Sequence, residues 1–479
     1  MIEKRQFYIN GSWVDPIEGR AFEVIDPSTE ETAAVISLGS SADTDAAVAA
    51  ARAAFPGWAD TPFKERYAKV EALLEVYLKR SPEMAQAISL EMGSPIDYAV
   101  KEHAPCGDSH IKNFLRAAKD FEFEHPLRPN LKSEYILHQP IGVIGMITPW
   151  NWPINQIALK VAPALLTGCT MVLKPSEIAP LSAMVFAEMI DEIGLPPGVF
   201  NLVNGDGLGV GTDLSTHLDV DMVSFTGSTR AGIAITKAAA DTIKRVSLEL
   251  GGKGANLIFP DARPFAVEDG CRDVFDNAGQ SCNAPTRMLV HASIYDEAVE
   301  RAQKAAEATR VASSHEHGDH IGPVVSQVQY DKIQDLIQAG IDEGARLVAG
   351  GVGRPEGLNR GYFVRPTVFA DVTNDMTIAR EEIFGPVIAI MKFETEDEAV
   401  AIANDTVYGL TNYVQSEDGA RRNRLARKLR SGMVQMNGKG RGAGAPFGGV
   451  KQSGNGREGG PWGLHEFLEV KSIGGWAAE

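Results

Sequence analysis

TMVLKPSEIAPLSAMVFAEMIDEIGLPPGVFNLVNG, residues 170–205, is the stretch that decides the fold. A β-rich run, TMVLKP, gives way to a helical stretch, SAMVFAEMIDEIG, and then to a second β-rich run, VFNLVNG. That order predicts a βαβ unit, with parallel strands and a helix crossing back over the sheet. The same texture extends in both directions. IGVIGMITP lies before it, and MVSFTG, RVSLELGG and ANLIFP lie after it, with AGIAITKAAADTIKR as a further helical stretch. Such alternation predicts a parallel α/β sheet whose ligands meet the carboxyl ends of the strands.

A second alternating region follows Cys282. Its candidate strands are RMLVHASI, ARLVAGG, YFVRPTVFAD and VIAIMKF, separated by helical segments that include YDEAVERAQKAAEATR and YDKIQDLIQAGIDEG. Two α/β lobes are expected, joined near Gly251 and Gly252. The first third of the chain reads as helices, ADTDAAVAAARAAFPGWAD and PFKERYAKVEALLEVYLKRSPEMAQAISLEMG, with apolar residues three and four apart. Ser41 or Asp43 is expected to cap the first of them. Residues 121–140, FEFEHPLRPNLKSEYILHQP, and the C-terminal EFLEVKSIGGW have a different, extended character. Exposed strand-forming pieces need partners, so a contact between subunits is expected there.

The bulk numbers narrow the function. At 479 residues the chain exceeds one ordinary core and should form two or three domains. A composition 44% hydrophobic and 23% charged is that of a globular protein. A net charge of −17 opposes binding to phosphate backbones and anionic lipid, so neither nucleic acid nor membrane is expected as a partner. The longest apolar region, IALKVAPALLTGCTMVL, is interrupted by Lys160 and short for a bilayer. The start, MIEKRQFYINGSW, lacks the apolar centre of a secretory signal. Four cysteines, Cys106, Cys169, Cys271 and Cys282, form no CxxC pair and no metal-ligand spacing with the histidines. The expectation is a cytoplasmic protein with no metal site.

Within this frame, the strand ends carry unusual polar clusters. ITPWNWP sets Asn151 between two tryptophans. VLKPSE supplies Lys174, Ser176 and Glu177. FTGSTRAG runs from a strand into a helix, which lets backbone N–H groups approach a phosphate. LELGG places Glu249 at a strand end in an apolar setting that raises a carboxyl's pKa and makes it a usable base. GQSCN surrounds Cys282 with small polar residues, where a sulfur is reachable and its thiolate solvated, as a nucleophile needs. Each cluster alone fits an ordinary turn, cap or solvated loop. Two nucleotide fingerprints are missing from the strand ends of 143–258: no G-x-G-x-x-G and no P-loop occurs there.

Taken together, TPWNWP, KPSE, FTGST, LELGGK, GQSC, EEIFGPV and PFGGVKQSGNGRE stand in the order and near the separations of a known family. The chain resembles the aldehyde dehydrogenase superfamily over nearly its full length, and Glu249 lies 33 residues before Cys282, from their numbers 282 and 249. The resemblance implies an α/β fold: an atypical Rossmann cofactor domain, an α/β catalytic domain and a small β oligomerisation element. These would occupy 1–120 with 141–250, then 251–450, and 121–140 with 462–479, respectively.

The resemblance also implies roles. Cys282 would attack the aldehyde carbon, giving a thiohemiacetal and, after hydride departure, a thioester. The Asn151 amide and the Cys282 N–H would stabilise the oxyanion. Glu249 would activate the hydrolytic water, and Lys160 and Glu458 would assist proton movement. For the cofactor, Lys174, Ser176 and Glu177 would meet the adenosine ribose. Gly227 and Ser228 would meet the pyrophosphate, while Glu382 and Phe384 would hold the nicotinamide ribose, with Ile147, Thr148, Trp150 and Leu250 lining the cleft. A carboxylate at Glu177 favours NAD over NADP, which remains possible because Lys174 could soften the preference.

By the same resemblance Trp152, Leu159, Asn437 and Phe447 would line a substrate tunnel, with residues near Asp276. Trp152, Leu159 and Phe447 suit a hydrophobic medium-chain, terpenoid or aromatic aldehyde. Lys439 and Arg441 suit instead a semialdehyde bearing a carboxylate. A CoA-acylating relative would commonly lack the glutamate of LELGG, so Glu249 argues for hydrolysis. A non-enzymatic binding protein would have lost the nucleophile, base or oxyanion donor, and a cysteine hydrolase would need a histidine partner for Cys282. The resemblance further implies a homo-oligomer, a dimer or a homotetramer.

Overall fold

The computed structural model describes residues 1–477. The end of the expected 462–479 element, residues 478 and 479, lies outside the described residues. Two seven-stranded sheets dominate. The first runs in the order Arg245–Glu249, Met222–Thr226, Val143–Ile147, Thr170–Lys174, Phe200–Leu202, Phe7–Ile9, Ser12–Val14. Its first five strands are parallel and its last two antiparallel. The second sheet runs Arg346–Ala349, Thr367–Ala370, Val387–Phe393, Arg287–His291, Ala255–Ile258, Thr411–Gln415, Met433–Met436, parallel except at its first edge. The chain passes from one sheet to the other through residues 250–254, where the Gly251–Gly252 junction was expected.

The strands are short and buried on both faces, as parallel strands under helices must be: Val143–Ile147 and Thr170–Lys174 are buried throughout. Between them the helix Pro153–Thr167 takes the apolar region noted in the sequence and buries nearly every side chain. Proline at its first position has no N–H to waste, and Gly168, with φ of 94°, ends it. Ile157, Leu165 and Leu166 lie wholly inside, each contributing roughly 2 kcal/mol of transfer free energy. Among the described residues no helix is long and apolar enough to cross a membrane.

Three expectations need correction. The first third is not helical from its start: residues 2–38 hold five strands, two of which, Phe7–Ile9 and Ser12–Val14, extend the first sheet. The first three of these have three residues each, too few to show a period of two. The helix Ser41–Ala59 is capped by Ser40, not by Ser41 or Asp43. Asp43 instead completes a capping box by accepting from the Ser40 N–H, and Ser41 donates to Asp213. Finally, TNYVQ and MVQM form strands that the reading of the second lobe omitted.

Residues Glu124–Arg128, Leu131–Pro140 and Leu468–Gly474 pair as a separate three-stranded antiparallel sheet. The two extended pieces thus meet each other. Tyr135 and Trp476 stack across it at 4.7 Å, while Val470 and Leu127 remain exposed.

Candidate active site

Four parallel strands of the first sheet end beside one another: Ile147 with Thr148, Lys174, Thr226 and Glu249 stand at their carboxyl ends. A cleft of about 210 Å³ opens there, between this edge and the loops of the second sheet. Trp150, Asn151, Gly227, Ser228, Glu249 and Leu250 line it from one side, Cys282, Glu382 and Phe384 from the other. The cleft therefore gathers the expected nucleophile, base and oxyanion donor, separated widely in sequence.

Cys282 follows a tightly held loop. Asn277 and Ala278 both adopt left-handed φ, 54° and 53°, and Gly279 continues at 76°. A Cβ on Gly279 would fall 2.0 Å from the carbonyl carbon of Gly385, so only glycine lets the GQSC loop rest on the EEIFGPV loop. Gln280 is locked from both ends: its amide donates to the Asn277 carbonyl at 3.1 Å and accepts from the Val325 N–H at 2.9 Å. Within this cage the thiol is hard to ionise. Burial raises its pKa above the usual thiol range, and the carboxylates of Glu382, Glu249 and Glu458 push further in the same direction, against a smaller pull from Arg441. Cys282 is partly exposed, as its small polar neighbours suggest, while the surrounding acids oppose its thiolate.

Glu249 is buried, and neither carboxylate oxygen has a hydrogen-bond partner. Burial first, then the nearby Glu458, hold its carboxyl well above the ordinary range, while Lys160 opposes them. The expected upward shift is present, and its causes include a second acid that the apolar-setting argument did not supply. Lys160 and Glu458 form a buried ion pair at 2.7 Å, joining the central helix to the C-terminal region across 298 residues.

The Asn151 side chain donates to the Gln280 carbonyl at 3.0 Å, tying the start of the central helix to the cysteine loop. Trp152 makes a parallel tie, its indole N–H donating to the Ser281 hydroxyl at 2.9 Å. Leu159 is buried on the same helix. Phe447 pairs with Glu458 in an isolated bridge and carries the Arg441 guanidinium over its ring at 4.5 Å. Asn437 is engaged elsewhere, its amide bonded to the Ser416 backbone and to Glu417. Asp276 opens into a neighbouring pocket with Tyr98, and its carboxyl is pushed up to about 6 by burial and by Asp273.

On the expected cofactor side, Ser228 caps the helix Thr229–Ala239, accepting from the Ala231 N–H. Glu382 accepts from the Gly252 N–H at 2.7 Å. A Cβ on Gly251 would lie 2.6 Å from that carboxylate, which explains the glycine pair of LELGG. Phe384, at φ of 62°, meets Trp150 edge-on at 5.4 Å. Lys174 and Glu177 pair with each other at 3.2 Å, and with Ser176 they stand beside the cleft rather than among its lining residues. The hydroxyls of Thr148 and Thr226 are buried without partners at the strand ends. Orphaned hydroxyls beside a helix N-terminus and the carboxylates of Glu382 and Glu177 fit a ligand rich in hydroxyl and phosphate groups.

Sequence reading missed Gln156, Gln329 and Lys332, which also line the cleft. Gln329 donates to the carbonyls of Ile383 and Phe384, and Lys332 to that of Glu382. Gln329 and Lys332 position a loop through its backbone, for which a helix sequence carries no signal.

The comparisons with known proteins agree with this arrangement. Residues 13–473 match the family model described as the aldehyde dehydrogenase family. The chain is 51% identical over 99% of both chains to a 3-succinoylsemialdehyde-pyridine dehydrogenase of a Pseudomonas species. It is 60% identical to an aldehyde dehydrogenase of Bartonella henselae whose crystal structure superposes with a TM-score of 0.99, covering 99% of this chain and 100% of that one. It is also 46% identical to aldehyde dehydrogenase C of Pseudomonas syringae, solved as a cysteine-to-alanine mutant with NAD+ and octanal, at a TM-score of 0.97 and coverage of 99% and 97%. Motifs, cleft and sheet order converge with these matches, and the chain belongs to the aldehyde dehydrogenase family.

Proposed function

We propose that this protein oxidises an aldehyde to its carboxylic acid with NAD+, and that Cys282, Asn151 and Glu249 carry the reaction. The observation that carries this reading is their convergence on one cleft from two different sheets. The relatives support it: the Pseudomonas syringae structure holds NAD+ and octanal. NAD+ bound in the cleft would supply the hydride acceptor. Ser228 and the helix N-terminus would meet its phosphates, Glu382 a ribose, and Lys174, Ser176 and Glu177 the other ribose, with Ile147, Thr148, Trp150 and Leu250 along the floor.

The Cys282 sulfur attacks the carbonyl carbon once its proton has left, and Glu249, with both oxygens unengaged, is the group placed to take it. The second N–H of the Asn151 amide and the Cys282 backbone N–H face the developing oxyanion. Loss of hydride leaves a thioester on Cys282. Glu249 then removes a proton from the attacking water, and the Lys160–Glu458 pair lets that proton spread away from a crowded pair of acids.

For the substrate, Trp152, Leu159 and Phe447 favour a hydrophobic medium-chain, terpenoid or aromatic tail. A second reading, a semialdehyde with an anionic tail, is favoured by the Arg441 guanidinium held over Phe447. Kinetics with straight-chain, aromatic and ω-carboxylated aldehydes, each with NAD+ and NADP+, test both; preference for the carboxylated series overturns the first. Acid formation without CoA separates hydrolysis from CoA acylation. The proposal extends to cytoplasmic placement, to the three-part domain division, and to a dimer or homotetramer assembled through the small antiparallel sheet.

A further inference from the structure

His103 is wholly buried, and nothing in the reaction above uses it. It ends a π-helical turn, Ala99–His103, set between two helical segments. Such turns put an extra residue into a helix and redirect a side chain, often toward a functional site. Here the imidazole meets Trp152, which opens the central helix, and Asn277 of the cysteine loop. Its ring stacks on Trp152 with centroids 4.1 Å apart and 27° between planes. Its Nε2 lies 3.1 Å from Oδ1 of Asn277, 174 residues away in sequence.

Asn277 is the hub. Its Nδ2 donates to the Asn151 carbonyl at 3.0 Å and to the Gln280 carbonyl at 3.3 Å. That Gln280 carbonyl is the same oxygen that receives one N–H from the Asn151 side chain. The other N–H of Asn151 is the one available to a substrate oxygen, and its direction is set by the first. Asn277 therefore grips both ends of the oxyanion donor: its backbone and the acceptor that orients its amide.

The Asn151 and Gln280 carbonyls set which way Asn277 faces, and His103 holds the other end of that amide. Turned over, the amide would set its oxygen against two carbonyl oxygens and its N–H groups against the imidazole. The observed orientation requires an acceptor at Oδ1, and so a proton on Nε2 of His103. Nδ1 is then bare, and it is buried without a partner. Burial also pushes the imidazole down to about 4, which keeps it neutral and preserves this tautomer's charge state at working pH. The left-handed backbone at Asn277 and Ala278 needs such an anchor, because alanine pays for that conformation.

We propose that His103 is a positioning residue for the oxyanion donor: through Asn277 it fixes the Asn151 amide, and through its ring it fixes Trp152. The inference rests on the role given above to Asn151. A double-mutant cycle tests it, with octanal as substrate and the NADH burst, kcat, KM and NAD+ affinity as readouts. H103F keeps an aromatic face for Trp152 but cannot donate to Asn277. It should lower kcat/KM and the burst rate by about tenfold, a fraction of the loss from removing an oxyanion donor outright, with NAD+ affinity unchanged. H103Q, which carries an N–H of similar reach, should recover most of that loss. In an N151A background H103F should cost less than about twofold, since the group it positions is gone.

Wild-type turnover by H103F, a loss that multiplies with N151A, or no rescue by H103Q would each overturn the proposal. Should H103F not fold, N277D breaks the next link by putting an oxygen against the Asn151 carbonyl while tolerating the left-handed backbone. Its loss should likewise vanish in N151A, and a multiplicative loss there overturns the proposal. If N151A itself turns over normally, the role of Asn151 falls first, and the two failures are thereby distinguished.

Discussion

At the scale of single residues, the site crowds several acids into one cleft. Cys282, Glu249, Glu458 and Glu382 share one region, with Lys160 and Arg441 as opposing cations. Removing the sulfur, C282A, should abolish oxidation while NAD+ binding, followed by fluorescence titration, stays near wild type. E249Q should leave the first hydride transfer observable as an NADH burst but slow steady turnover by about 100-fold or more, the usual reach of a general base. The pH dependence follows from the sign of the shift. A carboxyl held above its ordinary range stays protonated, and so useless as a base, until the pH passes that raised value. The acid limb of kcat should therefore lie above the ordinary carboxylate pKa of about 4 and vanish in E249Q. K160M removes the charge that pulls Glu249 down, so the limb should move to still higher pH, and the stranded Glu458 should cost roughly 3–5 kcal/mol in a denaturant titration.

At the scale of elements, the caps and tight turns carry most of what can be broken locally. S40A removes the side-chain half of the capping box on Ser41–Ala59 and should cost about 1 kcal/mol, seen as a lower unfolding midpoint with activity retained. This is also where legibility divides. The alternation from 143 to 258 was readable because parallel strands buried on both faces leave unbroken apolar runs, each closed by a polar motif. The strands Ile2–Lys4 and Phe7–Ile9 were not, since three residues carry no period and their stability comes from neighbours such as Leu202 opposite Tyr8. The cap was misplaced by one position because serines 40 and 41 are adjacent and only backbone geometry tells them apart. The meeting of Cys282, Glu249 and Asn151 in one cleft was legible through the motifs that hold them. Gln329, Lys332 and the His103–Asn277 link were not: their partners are carbonyls or distant amides, and a sequence does not display such pairings.

At the scale of the whole molecule, the three-stranded sheet formed by residues 124–140 and 468–474 stands apart from both large sheets. Exposed Val470 and Leu127 on it, and an outer strand with free backbone groups, are the features expected of a surface shared between copies. V470D should shift sedimentation velocity profiles at micromolar concentration toward monomer. An unchanged profile would overturn the proposal that this sheet joins subunits.

The passage of the chain through residues 250–254 has a mechanical consequence. Glu249 ends the last strand of one sheet, whereas the sulfur hangs from loops anchored on the other. The proton acceptor and attacking atom proposed above thus belong to opposite jaws, and their separation depends on how the two jaws are set. A substrate or dinucleotide wedged at this seam would tune reactivity without touching either group, simply by setting how far the jaws stand apart.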